Sequence, residues 1–502
     1  MGIRAILSKP FAAYIHQQNE KWKQNPITYQ QKTLQMLVQK AKNTMFGKDH
    51  DFGGINTYED FRKRVPIRDY EALKPYIEHI KEGTQNVLWE GQPLYFAKTS
   101  GTTSGTKYIP ITRDSIPNHI LSARNALLAY VYETGKSTFL DRKLIFLSGS
   151  PIMTETGKNK ILTGRLSGIV NHHVPAYLRS NQKPSYETNC IEDWETKLDK
   201  VIEETLHADM SLISGIPPWV QMYFDRIQAK TGKLIKDVFP NFSLFVYGGV
   251  NFEPYRKKLF DSIGKKVASV ELFPASEGFF AYQDLQEDPA MLLLLNSGIF
   301  YEFVPIESFF DENPTRLSIE EVELNKNYAL IINSNAGLWG YSLGDTVKFV
   351  SKNPYKVLVT GRVKHFISAF GEHVIGEEVE KALRLAMEKH PETSVAEFTV
   401  APQVTPTEGL PYHEWLIAFE RLPKDLNQFA TDIDRHLCQL NSYYDDLITG
   451  NIIRTLRISP LQADAFQQYM KSLGKLGGQN KVPRLSNDRT MADALQQWQL
   501  RD

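Results

Sequence analysis

Cysteine is nearly missing from this chain: only Cys190 and Cys438 occur in 502 residues, far apart and with no CxxC pair. That pattern excludes a cysteine zinc site, and two distant thiols fit a reducing cytoplasm better than a disulfide scaffold, with a single bridge between them left open. Excess charge of either sign is also missing, because Lys plus Arg number 58 and Asp plus Glu number 58. Neutrality supplies no overall attraction to nucleic acid or an anionic membrane, so neither is expected as the main partner. The local basic run Arg256, Lys257, Lys258 reads as a solvated helix face. No apolar run approaches the length of a membrane span; the short run at 291–295 (MLLLL) reads as a buried strand. Lys9 and Pro10 interrupt the opening MGIRAILSKP, which makes it a poor signal peptide, and Ile6 stands where the myristoylation pattern needs Ser or Thr. There is no G-x-S-x-G elbow, no H-E-x-x-H, no internal repeat and no low-complexity stretch.

What is present is an ordinary globular balance, 42% hydrophobic and 23% charged, in a chain long enough for two or three domains and a large core. Leu34, Leu37, Val38, Ala41 and Met45 follow helical spacing, and Gly47 offers a stop. Residues 144–147, 244–247, 328–332 and 357–360 read as buried strands, and residues 194–206 and 219–229 as helices. Mixed strands and helices over 1–360 predict an α/β class. At residues 361–365 an apolar strand turns into a charged, glycine-containing connector, which predicts a second unit over 361–502. There a helix at 376–390, strands at 395–400 and 415–419, a helix at 426–440, a strand at 455–458 and a helix at 463–473 make a small α+β domain.

The densest chemical signal is residues 99–107 (TSGTTSGTK). Glycines let backbone N–H groups approach a polyanion, hydroxyls donate further hydrogen bonds, and Lys107 adds positive charge. The order G-x-x-x-G-x-K-Tyr departs from G-x-x-x-x-G-K-[ST], which disfavours a Walker A NTPase. A solvated polar turn fits this string alone equally well. At 247–250 (YGGV), two glycines follow a buried strand, where a flat base has bare backbone to lie on. At 273–278 (FPASEG), Ser276 and Glu277 follow a strand; a carboxylate there suits Mg²⁺, a hard cation, though a helix N-cap has the same look. At 341–345 (YSLGD), an aspartate after a glycine turn can accept hydrogen bonds from ribose hydroxyls. At 478–484 (GQNKVPR), Lys481 sits in a connector before a proline. Residues 214–220 (SGIPPWV) offer a wall for an apolar group, with Trp219 able to cover it, although a core role is the commoner fate of a tryptophan.

In this order the set resembles the acyl acid amido synthetase family, the auxin-responsive Gretchen Hagen family of plants and its bacterial relatives, within the adenylate-forming superfamily. The resemblance runs nearly end to end; TSGTTSGTK and GQNKVPR carry it most specifically, and residues 57–77 look like the family's lead-in to the loop. It implies a large N-terminal domain of mixed sheet and helices, and a small mobile C-terminal domain. It also implies ATP with Mg²⁺ and an acyl-adenylate that passes to an amino acid as an amide. Carried over by position, Ser100, Gly101, Thr102 and Thr103, followed by Gly105 and Lys107, contact the phosphates, and Gly248, Gly249 and Val250 line adenine. Phe273 and Ser276 lie at the nucleotide, Glu277 binds Mg²⁺ and Asp345 the ribose. Arg362 and Lys364 mark the hinge, and Lys481 serves adenylation. Lys364 stands where the wider superfamily commonly has aspartate. Two other readings remain: a thioester-forming ligase with the same first step, and a nucleotide-binding protein without catalysis. The expected partners are a carboxylic acid and an amino acid, with no obligate protein partner.

Overall fold

The computed structural model describes residues 2–102, 105–174, 179–249, 252–363, 366–367, 369–372, 374–473 and 482–500. The chain opens with helices Ile3–Lys23, Pro26–Ala41, Met45–Asp49, Tyr58–Arg64 and Tyr70–Lys81. The periodic run that predicted one helix to Met45 is broken after Ala41, because Thr44 turns out of the helix and its hydroxyl caps Gly47 N–H of the next one. A four-stranded sheet follows, made of β1 (Tyr95–Thr102), β2 (Gly105–Ile111), β4 (Thr154–Thr156) and β5 (Ile161–Gly164).

An 11-stranded sheet dominates the molecule. Its strands are β3 (Lys143–Phe146), β6 (Gln182–Lys183), β7 (Met210–Ser214), β8 (Leu244–Gly248), β9 (Ala268–Ala275), β10 (Gly278–Gln283), β11 (Met291–Leu293), β12 (Ile299–Pro305), β13 (Asn327–Ser334), β14 (Tyr341–Lys352) and β15 (Tyr355–Arg362). The spatial order is β12-β13-β14-β15-β11-β10-β9-β8-β7-β3-β6. From β6 to β9 all neighbours are parallel; from β9 to β12 all are antiparallel. Parallel strands need helical crossovers, which bury both faces and explain the continuous apolar runs at 144–147 and 244–247. Alternate residues serve opposite faces: Leu212, Leu244 and Val270 enter one core, and Ile145, Ile213 and Phe245 the other. The second core continues into the C-terminal segment through Ile367, Phe370, Val379 and Trp415.

That segment contains the short ladder β16 (Phe366–Ile367) and β17 (Val374–Ile375), helix Gly376–Lys389, and a sheet in the order β18 (Ser394–Gln403), β19 (Tyr412–Arg421), β20 (Arg457–Leu461). Trp415, Ile417 and Phe419 of β19 face helices Gly376–Lys389 and Leu426–Leu440, while Leu416 and Ala418 face Ala465–Ser472 and Thr490–Leu495. The architecture is therefore α/β, with a large N-terminal domain of mixed sheet and helices and a smaller C-terminal domain. Both cysteines are free. Among the described residues no helix is long and apolar enough to cross a membrane.

The lead-in at 57–77 is pinned to the sheet by a buried ion pair. Glu302 on β12 accepts from Arg316 Nε at 2.9 Å and Nη2 at 2.7 Å, from Tyr58 Oη at 3.0 Å and from Asn333 Nδ2 at 2.9 Å. Arg316 also donates to the carbonyls of Arg62 and Val65. Glu302 is 0% and Arg316 7% exposed. Breaking such a pair leaves an uncompensated buried charge. Arg316→Met is expected to lower unfolding free energy by roughly 3–5 kcal/mol in urea denaturation; a loss within the ordinary surface range of about ±0.5 kcal/mol would contradict it.

Candidate active site at the carboxyl edge of the sheet

The parallel strands β3, β7, β8 and β9 all end at one edge, where open α/β sheets place their ligands. Gly248 closes β8, and a Cβ there would come within 2.4 Å of the Leu272 carbonyl of β9, so only glycine fits. Gly249 has φ +83°, and among the described residues a Cβ built on it would meet only Ile216 Cγ2 at 3.8 Å. Among the described residues, one face of that peptide is thus bare backbone. Val250 lies outside the described residues.

Ser276 and Glu277 form the tight turn joining β9 to β10, with Ala275 paired to Gly278. FPASEG is therefore a strand–turn–strand and not a helix cap. The turn is where the sheet passes from parallel to antiparallel pairing. Glu277 Oε1 accepts from Tyr341 Oη at 3.1 Å, which joins FPASEG to YSLGD. Glu277 is half-buried, and its Oε2 has no partner among the described residues. Among those residues no cluster of three or more His, Cys, Asp or Glu surrounds it. A single half-buried carboxylate with one oxygen oriented and the other open fits Mg²⁺, which takes one or two carboxylates and completes its shell with phosphate oxygens and water. Phe273, on β9, is 8% exposed, and its ring packs edge-on to that of Phe280 at 5.2 Å.

YSLGD lies within β14 and is not a hairpin turn. Gly344, at φ +82°, opens a bulge between the pairs Ala329–Thr346 and Ile331–Ser342, and its carbonyl accepts Val363 N–H at 2.8 Å. Asp345 directly follows this bulge and pairs with Arg362 of β15, so the two predicted residues are cross-strand neighbours. The lead-in braces the same segment: Arg68 N–H donates to Gly340 O, and Arg68 O accepts Ser342 N–H, each at 2.8 Å.

TSGTTSGTK forms a β-hairpin and not an open loop. Thr99 pairs with Lys107 and Thr102 with Gly105, with Ser100 and Gly101 in an irregularity of β1. Thr103 and Ser104, at the tip, lie outside the described residues, as do Lys364 and Lys481. Tyr70 of the lead-in supports the hairpin from below: its hydroxyl accepts Tyr108 N–H at 2.8 Å, and Lys107 Nζ lies 5.9 Å from its ring centroid.

Several contributing residues carry no sequence signal. Lys197 is buried and donates to the carbonyls of Ser148 at 2.8 Å and Asn189 at 2.9 Å, holding the segment that leaves β3. Burial depresses its pKa to about 8. Trp219 is half-buried, with its ring 4.5 Å from that of Trp194 beside the exit of β7, which joins the packing and wall readings. From the C-terminal domain, helix Ser442–Thr449 reaches strand β1 of the hairpin: Tyr443 Oη donates to Lys98 O at 3.3 Å, Asp446 pairs with Arg165, and the Arg165 guanidinium lies 5.5 Å from the Tyr443 ring. No spacing rule links residues so far apart in sequence. Tyr443→Phe removes one hydrogen bond worth about 1 kcal/mol, so amide exchange in β1 is expected to rise about fivefold by mass spectrometry. Unchanged exchange would show that the contact does not brace the hairpin.

Sequence and structure comparisons converge on one family. The description "GH3 family N-terminal domain" matches residues 15–161, "GH3 family central domain" 292–362 and "GH3 family C-terminal domain" 377–490. An indole-3-acetic acid-amido synthetase, GH3.4 of Arabidopsis thaliana, is 23% identical over 93% of this chain and 90% of its own length. The jasmonoyl–L-amino acid synthetase JAR6 of Nicotiana attenuata is 22% identical over 91% of this chain and 90% of its own. Among solved structures, a GH3.15 acyl acid amido synthetase in complex with 2,4-DB superposes with TM-score 0.61 at 14% identity, covering 98% of this chain and 96% of that one. A 2-hydroxyisobutyryl-CoA ligase in its thioesterification state gives TM-score 0.56 at 13% identity, covering 94% and 92%. Three successive domain models of one family, in order along a chain whose relatives match it nearly end to end, place this protein in the GH3 family.

Proposed function

We propose that this protein adenylates a carboxylic acid with ATP and transfers the acyl group to an amino acid, releasing AMP and pyrophosphate. The observation that carries the reading is the Glu277–Tyr341 hydrogen bond at the carboxyl edge of the sheet, which brings two separate sequence motifs into one site on a GH3 chain. A carboxylate is a poor electrophile, and AMP is a far better leaving group than hydroxide. In the first step the substrate carboxylate oxygen bonds to the α-phosphorus of ATP and the bond to pyrophosphate breaks. In the second, the amino group bonds to the acyl carbon, the mixed anhydride breaks to AMP, and the amine loses a proton. Both steps use bound reactants, so no nucleophilic side chain is needed.

The obstacle in the first step is repulsion between the carboxylate and the triphosphate, and preorganised donors lower it. In this reading the backbone and hydroxyls of Ser100, Gly101, Thr102 and Thr103, followed by Gly105 and Lys107, orient the departing pyrophosphate. The peptides of Gly248, Gly249 and Val250 carry the adenine, beside Ser276, and Asp345 accepts from the ribose. Glu277, oriented by Tyr341, would hold Mg²⁺, which supplies charge neutralisation at the phosphates. Lys481 brings a cation to the α-phosphate during adenylation, Arg362 and Lys364 form the hinge, and the units 1–360 and 361–502 move relative to each other. The acyl group lies along residues 214–220 beside Trp219.

Lys481→Ala is expected to slow acid-dependent ATP–pyrophosphate exchange at least tenfold, equivalent to about 1.4 kcal/mol of transition-state stabilisation. Unaltered exchange would remove its assigned role. Glu277→Ala should raise the Mg²⁺ concentration needed for half-maximal exchange severalfold, and an unshifted Mg²⁺ titration would take the metal away from Glu277. The function itself is tested by exchange against a panel of aromatic, aliphatic and hydroxy acids, followed by mass spectrometry with an amino-acid mixture or coenzyme A. Amide products support the proposal; thioester products, or no exchange with any acid, overturn it.

A further inference from the structure

The first three turns of helix Ile3–Lys23 are built inside out. There the buried face carries small residues, Ala5, Ser8 and Ala12, while large apolar side chains point outward; Ile15 and Trp22, further along, pack inward. Ile3 is 75% exposed, Ile6 54%, Leu7 62%, Phe11 40% and Tyr14 54%, with Pro10 also exposed. At 3.6 residues per turn these six positions fall within one arc of roughly 140° along the solvent side. Leu121 of the neighbouring helix Ile116–Thr134 is 42% exposed, and Arg124, one turn beyond it, places its guanidinium 5.2 Å from the Phe11 ring, so the patch crosses both helices.

The border of the patch is basic. The same helical geometry sets Arg4 on one flank of the arc and Lys9 on the other. Residues 2–19 contain no Asp or Glu. Arg4 Nη2 and Lys143 Nζ both bond to Ser180, next to the exposed Arg179, which extends the cationic border at the helix start. The acid met there, Asp141, is engaged by the backbone N–H groups of Gly2 and Ala5 at the helix start. An outward apolar stripe bordered by cations is the pattern of a helix that lies in a lipid interface, with aliphatic and aromatic groups among the acyl chains and Lys and Arg at the headgroups. A twofold pairing with a second copy would set these cations against one another with few carboxylates to neutralise them.

We propose that this face docks the protein on an anionic lipid surface. The overall neutrality of the chain hides the patch, because the compensating carboxylates lie elsewhere. The experiment is co-sedimentation of the full chain, without ATP, with vesicles of phosphatidylcholine alone or with 30% phosphatidylglycerol. Partitioning onto the anionic vesicles is expected to exceed that onto neutral ones at least tenfold, and to fall as salt screens the cations. The double substitution Leu7→Glu and Phe11→Glu lies on solvent-facing positions; it should abolish binding while leaving the circular dichroism and ATP–pyrophosphate exchange as in the wild type. Lys9→Glu, a milder change, should reduce binding at least threefold. Equal or absent binding to the two vesicle types would overturn the proposal. So would light scattering that shows a dimer converted to monomer by the double substitution, which would assign the face to a second copy.

Discussion

The Glu302–Arg316 pair is the constraint on which the site's arrangement rests. Taking two charges out of water is expensive, and the cost is met only where every remaining lone pair and proton is used. Here Glu302 accepts from Tyr58 and Asn333 as well as Arg316, and Arg316 spends its other nitrogen on the carbonyls of Arg62 and Val65. The network therefore fixes the end of helix Tyr58–Arg64, and hence the level at which Arg68 meets β14. Asn333 Oδ1 accepts Gly340 N–H at 2.6 Å, so the same network also fixes the turn just before Tyr341. From Tyr341 a single hydroxyl reaches Glu277. The carboxylate assigned to the metal is thus tied to a buried ion pair through three hydrogen-bonded steps.

The switch in strand direction accounts for where the other groups gather. Parallel strands end together, so β3, β7, β8 and β9 deliver their loops to one edge without any residue specifying it. Antiparallel pairing starts at the Ser276–Glu277 turn and lets β14 and β15 return toward that edge. The bulge at Gly344 then turns Asp345 into register with Arg362. The edge thus receives bare backbone from the parallel side and polar side chains from the strands that come back.

Much of this was legible in the sequence, and the physical reasons differ from residue to residue. Buried strands at 144–147 and 244–247 read correctly because parallel strands bury both faces and leave an unbroken apolar run. Gly248 carries glycine because the adjacent strand leaves no room for a Cβ. YSLGD and FPASEG were expected at turns or caps, but pairing with neighbouring strands decides strand membership, and the composition of a five- or six-residue motif does not register those partners. Tyr70, Lys197, Arg165 and Tyr443 were invisible for a common reason: each acts on a backbone carbonyl, a backbone N–H or a ring far away in sequence, so nothing local marks it.

The two ends of the chemical signal belong to different bodies, and this shapes how the site must be assembled. TSGTTSGTK lies in the hairpin of β1 and β2, braced by Tyr70 from the N-terminal body. The connector that carries Lys481 is anchored at both ends within the C-terminal domain. On one side is helix Ala465–Ser472; on the other, Arg484 pairs with Glu380, Arg484 O accepts Val400 N–H at 3.0 Å, and Leu485 bridges to Val400. Lys481 itself lies outside the described residues; the segment that follows it joins the C-terminal domain's own sheet. Helix Ser442–Thr449 of that domain contacts Lys98 O on the strand that carries the hairpin, and its Asp446 pairs with Arg165. Any displacement of the C-terminal domain must break that hydrogen bond and that ion pair. The packing of strand β1, beside the β1–β2 hairpin, is therefore coupled to the seating of the C-terminal domain through Lys98 and Arg165.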